Sequence, residues 1–442
     1  MRKTNKLHAI VRLVFAAFLL FPLGAQGQGW SAFPQSPNNW VTALQEDTAS
    51  DIIYAGGYFT QLGSTPFGRI ASFDGSVWDS LGSGVSMAPH GMGMINGEFH
   101  VGGEFTMAGG ATAIRIAKYH NTAWSTYGNG LAGSVNAVIE YNSQVYAGGF
   151  DGIRSWNGSS WLNVGAGVSG SNPYVLDLEI YNGELYVTGP FELAGGQTAN
   201  GIAKWNGSAW STLGTGLGNG GAGYEMEVYN GELYVGGSFS AAGSVPANNF
   251  AKWNGAAWSA VGTGVSGGVQ TANPLVDALK VIGGTLYFGG NFTNPGNYVA
   301  TWDGNAFGTL GTGMNEIVLC LESFNGDLIA GGRFTAAGGN AAPYLAKWTL
   351  PTGVKEIPST MTLDVYPNPA SGHFTLELQL SSVQNVELRA LDLLGREIFT
   401  QRLEPGAGTT RMNVDASGWA KGMYLLQLHS AQGTTAKRVV IR

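Results

Sequence analysis

The 442-residue sequence is poor in cysteine, in charge and in long apolar runs, and each shortage excludes a class of protein. Cys320 is the only cysteine, which excludes an intrachain disulfide and a metal site built on paired cysteines. Charged residues make up 12% of the chain and hydrophobic residues 44%, which excludes a disordered tail and a long charged coiled coil. Beyond residue 27 no segment is apolar for about 18 residues, so we expect no transmembrane segment in the mature protein.

Basic residues are scarce in the central region of the chain. The formal net charge of the chain is −7, and between Gln28 and Val354 there are 9 basic residues against 21 acidic ones. A sparse acidic surface repels phosphate backbones. We therefore expect no nucleic-acid partner.

Glycine and aromatic residues are abundant instead. The chain holds 70 glycines and 13 tryptophans. Each glycine weakens a helix interior by about 1 kcal/mol relative to alanine. The composition therefore favours an all-β protein with many tight turns.

The N-terminus has the pattern of an export signal. A basic segment, 1–12, precedes the apolar run 13–23, and small residues follow at Gly24, Ala25 and Gly27. The run has the length of a signal-peptide core and is too short to cross a bilayer. We predict a signal peptide over 1–27, cleaved near Ala25 or Gly27; a membrane anchor is the alternative interpretation.

A repeated unit dominates the centre of the sequence. The segment IAKWNGSAWSTLGTGL (202–217) recurs as FAKWNGAAWSAVGTGV (250–265), and YNGELYVTGPF (181–191) recurs as YNGELYVGGSF (229–239). The second aromatic residue of each unit falls at Trp78, Trp124, Trp161, Trp210, Trp258 and Phe307. The spacing between successive residues of this set, with four short strands per unit, is typical of a β-propeller blade.

The ends of the repeat region predict a closed ring. The last unit, 315–349, lacks its fourth strand, and a matching strand lies at 29–33. We infer that this N-terminal strand completes the last unit. The sequence thus predicts a seven-bladed β-propeller over 28–349, with a closed sandwich of the same strands as the alternative.

Most units carry a Gly-Gly doublet after an apolar strand, and the fourth and fifth units then show Lys-Trp-Asn-Gly (204–207 and 252–255). In this the repeat resembles a divergent Kelch or galactose-oxidase-like propeller repeat. Redox members of that group hold copper with tyrosine, histidine and a cross-linked cysteine. Here His90, His100 and His120 are confined to the second unit, while Cys320 lies in the seventh and is expected to be a buried, inert thiol. We therefore expect no copper, no other metal and no cofactor.

The last 81 residues differ from the repeats. Residues 350–361 read as a linker, and 362–442 show alternation typical of about seven half-buried strands, which suits an Ig-like β-sandwich. This stretch resembles the C-terminal sorting domain of the type IX secretion system of Bacteroidota. The resemblance is carried by Pro367, Asn368, Pro369, Gly372, Gly395, Gly422, Tyr424 and Lys437. It implies export by Sec and then by the type IX machinery, which is the expected partner, to the cell surface or the medium. A structural sandwich module is the alternative.

The repeats separate structural from functional candidates. Acids that recur beside turns (Glu98, Glu184, Glu232, Asp327) are interpreted as solvated hairpin residues, and the recurring lysines before an aromatic as structural. Ligand-binding candidates break the repeat at the ends of the second strands, on the face bearing the inter-blade loops. They are Tyr58, Glu104, Asp151, Ser238, Asn291 and Arg333.

No catalytic motif is present, and no catalytic residue is assigned. The favoured hypothesis is a non-enzymatic surface or secreted protein that binds a glycan or a protein. The alternative is a secreted carbohydrate-active hydrolase or lyase with two carboxylates in one pocket. An architectural spacer is a third possibility.

Overall fold

The computed structural model describes residues 29–218, 220–268, 273–350, 361–380, 386–391, 397–403, 408–430 and 433–442. The predicted signal peptide, most of the predicted linker and Gly395 lie outside this part of the chain. All regular structure in the described residues is β, with no helix. Accordingly, no helix there is long and apolar enough to cross a membrane.

Thirty-nine strands lie between residues 29 and 349. In chain order they are β1 Gly29–Ala32, β2 Val41–Asp47, β3 Ile52–Gly57, β4 Gln61–Leu62, β5 Thr65–Pro66, β6 Ile70–Phe73, β7 Trp78–Ser80, β8 Pro89–Ile95, β9 Glu98–Gly103, β10 Met107–Ala108, β11 Ala111–Thr112, β12 Ile116–His120, β13 Ala123–Thr126, β14 Val135–Tyr141, β15 Gln144–Gly149, β16 Gly152–Trp156, β17 Trp161–Asn163, β18 Val168–Ser169, β19 Asp177–Tyr181, β20 Glu184–Thr188, β21 Leu193–Ala194, β22 Gln197–Thr198, β23 Ile202–Trp205, β24 Trp210–Thr212, β25 Ala222–Tyr229, β26 Glu232–Ser238, β27 Ala241–Ala242, β28 Val245–Pro246, β29 Phe250–Trp253, β30 Trp258–Ala260, β31 Leu275–Ile282, β32 Thr285–Asn291, β33 Val299–Trp302, β34 Phe307–Thr309, β35 Val318–Phe324, β36 Asp327–Gly332, β37 Ala336–Ala337, β38 Asn340–Ala341 and β39 Leu345–Thr349.

The longer strands form seven four-stranded antiparallel sheets, and short hairpins join their second and third strands. We number the sheets 1 to 7 by their first strands, β2, β8, β14, β19, β25, β31 and β35. These inner strands contact one another in that order, and β35 also contacts β2. Strand β1 is the outer strand of sheet 7, where Trp30 pairs with Trp348. The predicted pairing of the N-terminal strand with the last repeat is confirmed.

The Gly-Gly doublets exist because inner strands approach the second strands closely. A Cβ on Gly237 would lie 2.1 Å from the Ala222 carbonyl oxygen of the same sheet. A Cβ on Gly236 would lie 2.5 Å from a methyl of Val276 on the next sheet. At the junction of sheets 7 and 1, a Cβ on Gly331 would lie 2.7 Å from Val41. The first glycine of each doublet thus lets the inner strand of the next sheet pack closely against it.

In four of the seven sheets a tryptophan of the outer strand donates a hydrogen bond to the preceding sheet. The indole nitrogen of Trp258 donates a hydrogen bond to the Leu213 carbonyl at 2.9 Å, and Trp210 donates to Val164 at 3.0 Å. Trp124 on sheet 2 and Trp30 on sheet 7 do the same to Leu81 and Leu310. The repeated tryptophan is therefore an inter-sheet contact.

The two Asn-Gly turns differ from one another. Asn230 and Gly231 both have positive φ, 50° and 77°, as a two-residue hairpin requires. The Asn-Gly pair predicts the same two-residue turn at Asn254-Gly255, but this prediction is wrong at Asn254, since only Gly255 has positive φ, 97°. Trp253 pairs with Trp258 across a four-residue loop, in which the Asn254 side chain accepts hydrogen bonds from two following amides. The Asn254 side chain thus accepts the hydrogen bonds that stabilise this wider loop.

The C-terminal region contains seven strands among its described residues. They are β40 Met361–Tyr366, β41 His373–Leu380, β42 Val386–Leu391, β43 Glu397–Leu403, β44 Gly408–Asp415, β45 Gly422–Ser430 and β46 Gly433–Ile441. One antiparallel sheet has the order β40-β41-β44 and the other β43-β42-β45-β46. Buried residues of both, such as Phe374, Leu376, Leu388 and Leu426, share one core.

Candidate functional site

Three of the predicted binding residues converge at one end of the seven-sheet assembly. We call this end, where inner strands begin and second strands end, the top face; on sheet 1 it carries Trp40 and Tyr58. The Tyr58 hydroxyl donates to the Glu104 carboxylate at 3.5 Å. Both Tyr58 and Arg333 contact Trp40, with ring centroids 5.9 Å apart for Tyr58 and the guanidinium carbon of Arg333 4.2 Å from the ring centre. The three side chains come from sheets 1, 2 and 7.

His90 and Asp277 extend this group toward the axis. The His90 Nε2 atom lies 3.4 Å from a Glu104 oxygen. Burial lowers the pKa of His90, and the Glu104 charge partly offsets that effect. Burial raises the pKa of Asp277 to about 8, although the Arg333 charge pulls it down. Both groups therefore favour their neutral forms near neutral pH.

Two further arginines border the group. Arg69 Nη1 donates to the Tyr58 carbonyl at 3.1 Å, and Arg115 Nη1 donates to the Glu104 carbonyl. Both residues have positive φ, 64° and 67°. The residue before the third strand has positive φ in all seven sheets, so this conformation belongs to the fold and only the arginine side chains distinguish sheets 1 and 2. We call Trp40, Tyr58, His90, Glu104, Arg69, Arg115 and Arg333 the arginine cluster.

The other three candidates lie elsewhere on the top face. Asp151 accepts a hydrogen bond from the Gly133 amide at 2.8 Å on sheet 3. Ser238 lines a shallow depression of about 320 Å³ together with Phe239 and Asn249. Asn291 is 1% exposed and donates to the Asn273 carbonyl at 3.1 Å. The structure brings none of these three into the arginine cluster.

A central channel runs between the seven inner strands, with a cavity of about 380 Å³ lined by residues of every one of them. At one level the strands carry, from sheet 1 to sheet 7, Gln45, Gly93, Ile139, Glu179, Glu227, Lys280 and Glu322. At the level nearer the top face they carry Ala43, Gly91, Ala137, Asp177, Glu225, Ala278 and Cys320. At these two levels, charge is confined to the half of the wall formed by sheets 4 to 7, although Glu140 of sheet 3 also lines the cavity.

The acids of this wall share protons. Burial, the largest cause, raises the pKa of Asp177 to about 6, of Glu227 to about 7 and of Glu179 to about 8. Neighbouring carboxylates raise the pKa of Glu179 further. The pKa of Glu225 is also well above its ordinary value because of burial and the Asp177 charge. Several carboxyl groups in contact therefore hold protons near neutral pH.

Sheets 6 and 7 supply the cation of the channel and its counter-charge. Lys280 forms an ion pair with Glu322, which is 5% exposed. The lone thiol, Cys320, lies on an inner strand as expected and packs against the core between sheets 7 and 1, but its residue is only partly buried and also lines the channel cavity. The apolar residues around it in sequence did not reveal that an inner strand turns one side to the channel. Burial raises the pKa of the thiol, which keeps it protonated.

The recurring acids beside turns also differ from expectation. Glu98, Glu184 and Glu232 each lie 2.6 Å from the lysine that recurs on the third strand, and Asp327 lies 3.2 Å from Lys347. The side chains of Glu184 and Glu232 are 27% exposed, so they are half-buried ion pairs and not freely solvated residues. Their recurrence still indicates a structural role.

Sequence reasoning missed the channel acids, Trp40 and the arginines of sheets 1 and 2. Aligning the inner strands alone would have shown the signal, since Asp177 and Glu225 share one position and Glu179 and Glu227 another. Within the described residues, no three His, Cys, Asp or Glu side chains are placed to hold a metal ion together.

Several of the residues predicted to carry the sorting signal lie near the C-terminal end of the last strand. The Asn368 side chain accepts a hydrogen bond from the Val440 amide at 3.0 Å, and the Ala370 amide donates to the Val440 carbonyl at 2.8 Å. Pro367 and Pro369 flank this contact and are exposed, as is Lys437, while Gly372 has φ of 82°. The buried Tyr424, two residues after Gly422, donates to the Ala420 carbonyl at 2.7 Å.

Residues 364–442 match the family described as the secretion system C-terminal sorting domain. This domain directs the chain through the type IX secretion system to the cell surface or the extracellular space, and the secretion machinery is therefore a partner. The expected export through the type IX secretion system is confirmed.

Similarity to other proteins is low outside this domain. No curated protein matches the chain. The extracellular domain of a protein described as a one-component system from B. thetaiotaomicron is 12% identical with a TM-score of 0.47, over 93% of this chain and 60% of that one. The computationally designed protein Ika8 is 13% identical with a TM-score of 0.32, over 94% of this chain and all of its own. The chain spans less than two thirds of the first of these, and neither likeness carries an argument about function.

Proposed function

We propose that residues 28–349 form a seven-bladed, Kelch-like β-propeller that binds a glycan or protein ligand on the cell surface or outside the cell. The cyclic order of contacts between the inner strands supports a ring, and the closing contacts include the Ser323 hydroxyl, which donates to Glu46 at 2.6 Å. In this proposal 1–27 is a signal peptide, 350–361 a linker and 362–442 an Ig-like sorting domain.

The observation that carries the binding role is the arginine cluster. It unites polar and charged residues that break the repeat on three adjacent sheets, whereas the equivalent positions carry the exposed Phe150 on sheet 3, Ser238 on sheet 5 and the buried Asn291 on sheet 6. Its side chains are reachable, since the Glu104 side chain is 37% exposed and the His90 side chain 23%. Partly exposed aromatic and charged side chains on a rigid scaffold are typical of binding sites.

The test is an array of glycans and proteins probed with the exported protein. We expect binding of at least one ligand, and loss of that binding in Glu104→Ala and Arg333→Ala. Arg154→Ala is the matched control. Arg154 lies on sheet 3, and among the described residues its side chain donates a hydrogen bond only to the carbonyl of the adjacent Ile153. Binding that survives both cluster variants would remove the site from this proposal.

A second candidate, a carbohydrate-active enzyme, is favoured by the channel acids. Asp177, Glu179, Glu225 and Glu227 contact one cavity with pKa values that differ from one another, as a general acid and a base require. Such an enzyme would release sugar from one of the arrayed glycans, and Glu225→Gln would abolish the release. Absence of turnover on every bound glycan would exclude it and leave binding or an architectural role.

A further inference from the structure

Arginine is concentrated in one sector of the top face. Only four arginines lie between residues 28 and 354, and three of them belong to the arginine cluster: Arg69, Arg115 and Arg333. None of the three forms a salt bridge with any other described residue, whereas each lysine on the third strands has an acidic partner. A concentration of unneutralised positive charge is unusual in a region so poor in basic residues.

Stacking on Trp40 holds the Arg333 side chain, whose guanidinium donates no hydrogen bond to any described residue. Its guanidinium carbon lies 4.2 Å from the centre of the Trp40 ring, and its Nε atom is buried with no hydrogen-bond partner in the described part of the chain. Stacking on an aromatic face fixes the plane of a guanidinium and leaves the N–H groups at its edge available. Those N–H groups match the geometry of a carboxylate, which binds arginine through two parallel hydrogen bonds.

No carboxylate among the described residues occupies that role. Burial raises the pKa of Asp277 to about 8, although the Arg333 charge lowers it, so this carboxyl group is mostly protonated at neutral pH. The Glu104 carboxylate contacts His90 at 3.4 Å and Tyr58 at 3.5 Å instead. The sector keeps a positive excess at the mouth of the channel.

We propose that the arginine cluster binds the carboxylate of an acidic saccharide, a uronic acid, with Arg333 as the principal carboxylate ligand. This inference rests on the ligand-binding role proposed above and names the class of ligand. Tyr58 shares the Trp40 ring with Arg333, and Glu104 joins Tyr58 to His90. These three side chains can donate hydrogen bonds to sugar hydroxyls and accept them, and the rings of Tyr58 and His90 lie 6.2 Å apart. This mixture of polar groups and aromatic rings suits a polyhydroxylated ring better than a peptide side chain.

The experiment measures binding of four probes to the exported protein by calorimetry. The acidic probes are oligogalacturonate and oligomannuronate, the neutral probe is fully methyl-esterified oligogalacturonate, and poly-glutamate represents an acidic peptide. We expect at least one acidic saccharide to bind, and the neutral ester and the peptide not to bind. Arg333→Gln weakens the binding roughly 10- to 100-fold, as loss of charged hydrogen bonds does, and Arg154→Gln leaves it unchanged.

Each other outcome overturns a defined part of the proposal. Equal binding of poly-glutamate removes the assignment to saccharides. A neutral ligand from the array that binds independently of Arg333, with no binding of either acidic saccharide, overturns this inference and leaves the proposed binding role intact. Failure of every probe and every arrayed ligand overturns both. Circular dichroism of Arg333→Gln separates loss of binding from loss of folding.

Discussion

At the scale of single residues, one compensating pair shows how closely neighbouring sheets fit. Five doublets place their first glycine against a valine of the next inner strand, as Gly236 does against Val276. Sheet 4 has Thr188 where the glycine is expected, and sheet 5 has Gly223 where the valine is expected. A Cβ on Gly223 would lie 2.1 Å from the Thr188 hydroxyl oxygen. At this contact the larger side chain therefore lies on the second strand of sheet 4, and the glycine lies on the inner strand of sheet 5.

This exchange predicts a rescue. Gly223→Val alone overpacks the contact and lowers the free energy of unfolding by roughly 1–3 kcal/mol. The double variant Thr188→Gly with Gly223→Val restores the glycine–valine arrangement and recovers most of that loss. The residual cost is about 1 kcal/mol, since Thr188 also donates to the Gly201 carbonyl at 2.7 Å. Chemical denaturation of the three variants measures the coupling, and additive effects would show that these residues do not touch.

The channel acids predict how stability depends on pH. An unfolded Glu ionises near pH 4.3, whereas the pKa is about 8 for Glu179 and about 7 for Glu227 in the folded chain. The folded state therefore binds more protons between these values, and stability falls as pH rises from about 5 to 8. The pKa of Lys280 is raised by Glu322, against the effect of burial, so its stabilising charge persists throughout this window.

Calorimetry at pH 5.5 and pH 8.5 checks this expectation. Melting of the repeat region occurs at a higher temperature at pH 5.5, and Glu225→Gln reduces the difference because it removes one of the titrating groups. The control is Glu192→Gln, an exposed carboxylate whose pKa is lowered by Ser171 and which stays ionised across the window. A melting temperature that rises toward pH 8.5 would contradict the assignment of these protons.

At the scale of elements, the outer strands are held by their own pairing and, in every sheet but sheet 6, by the indole of one tryptophan. Trp258 and Trp78 occupy equivalent positions and are equally buried, at 7% exposure. Trp258 donates to Leu213, while the Trp78 nitrogen has no partner in the described part of the chain. The pair therefore separates the hydrogen bond from the packing of the ring.

We expect Trp258→Phe to cost about 1 kcal/mol more of unfolding free energy than Trp78→Phe, because only Trp258 loses a buried hydrogen bond. Urea denaturation of the two variants gives the comparison. Equal losses would mean that the indole nitrogen contributes nothing to the contact between sheets.

Inner strands also explain what could be predicted from sequence and what could not. The repeat revealed the strands, the N-terminal partner of Trp348 and three members of the arginine cluster, because each depends on pairing or on departures from a repeated position. The repeat alone did not show that Glu225 and Cys320 line a channel. Alternation along a strand assigns residues to two sides, but only the cyclic packing of the inner strands makes one side a channel.

At the scale of the whole molecule, the chain joins the sheets of the repeat region to a tail with its own core. Deleting 362–442 removes the sorting domain, so we expect the truncated protein to accumulate in the periplasm. Immunoblots of periplasm, surface and medium follow its location, and Asp415→Asn in the full chain serves as a control because that side chain is exposed. Normal surface delivery of the truncated protein would show that export does not depend on this domain.

The central claim is that the exported repeat region binds its ligand at the arginine cluster, and a crystal structure of the protein with its bound ligand tests it most directly. The account predicts ligand density on the top face, with a carboxylate within hydrogen-bond distance of Arg333 above Trp40. Density inside the channel beside Glu225, or anywhere away from sheets 7, 1 and 2, would contradict it.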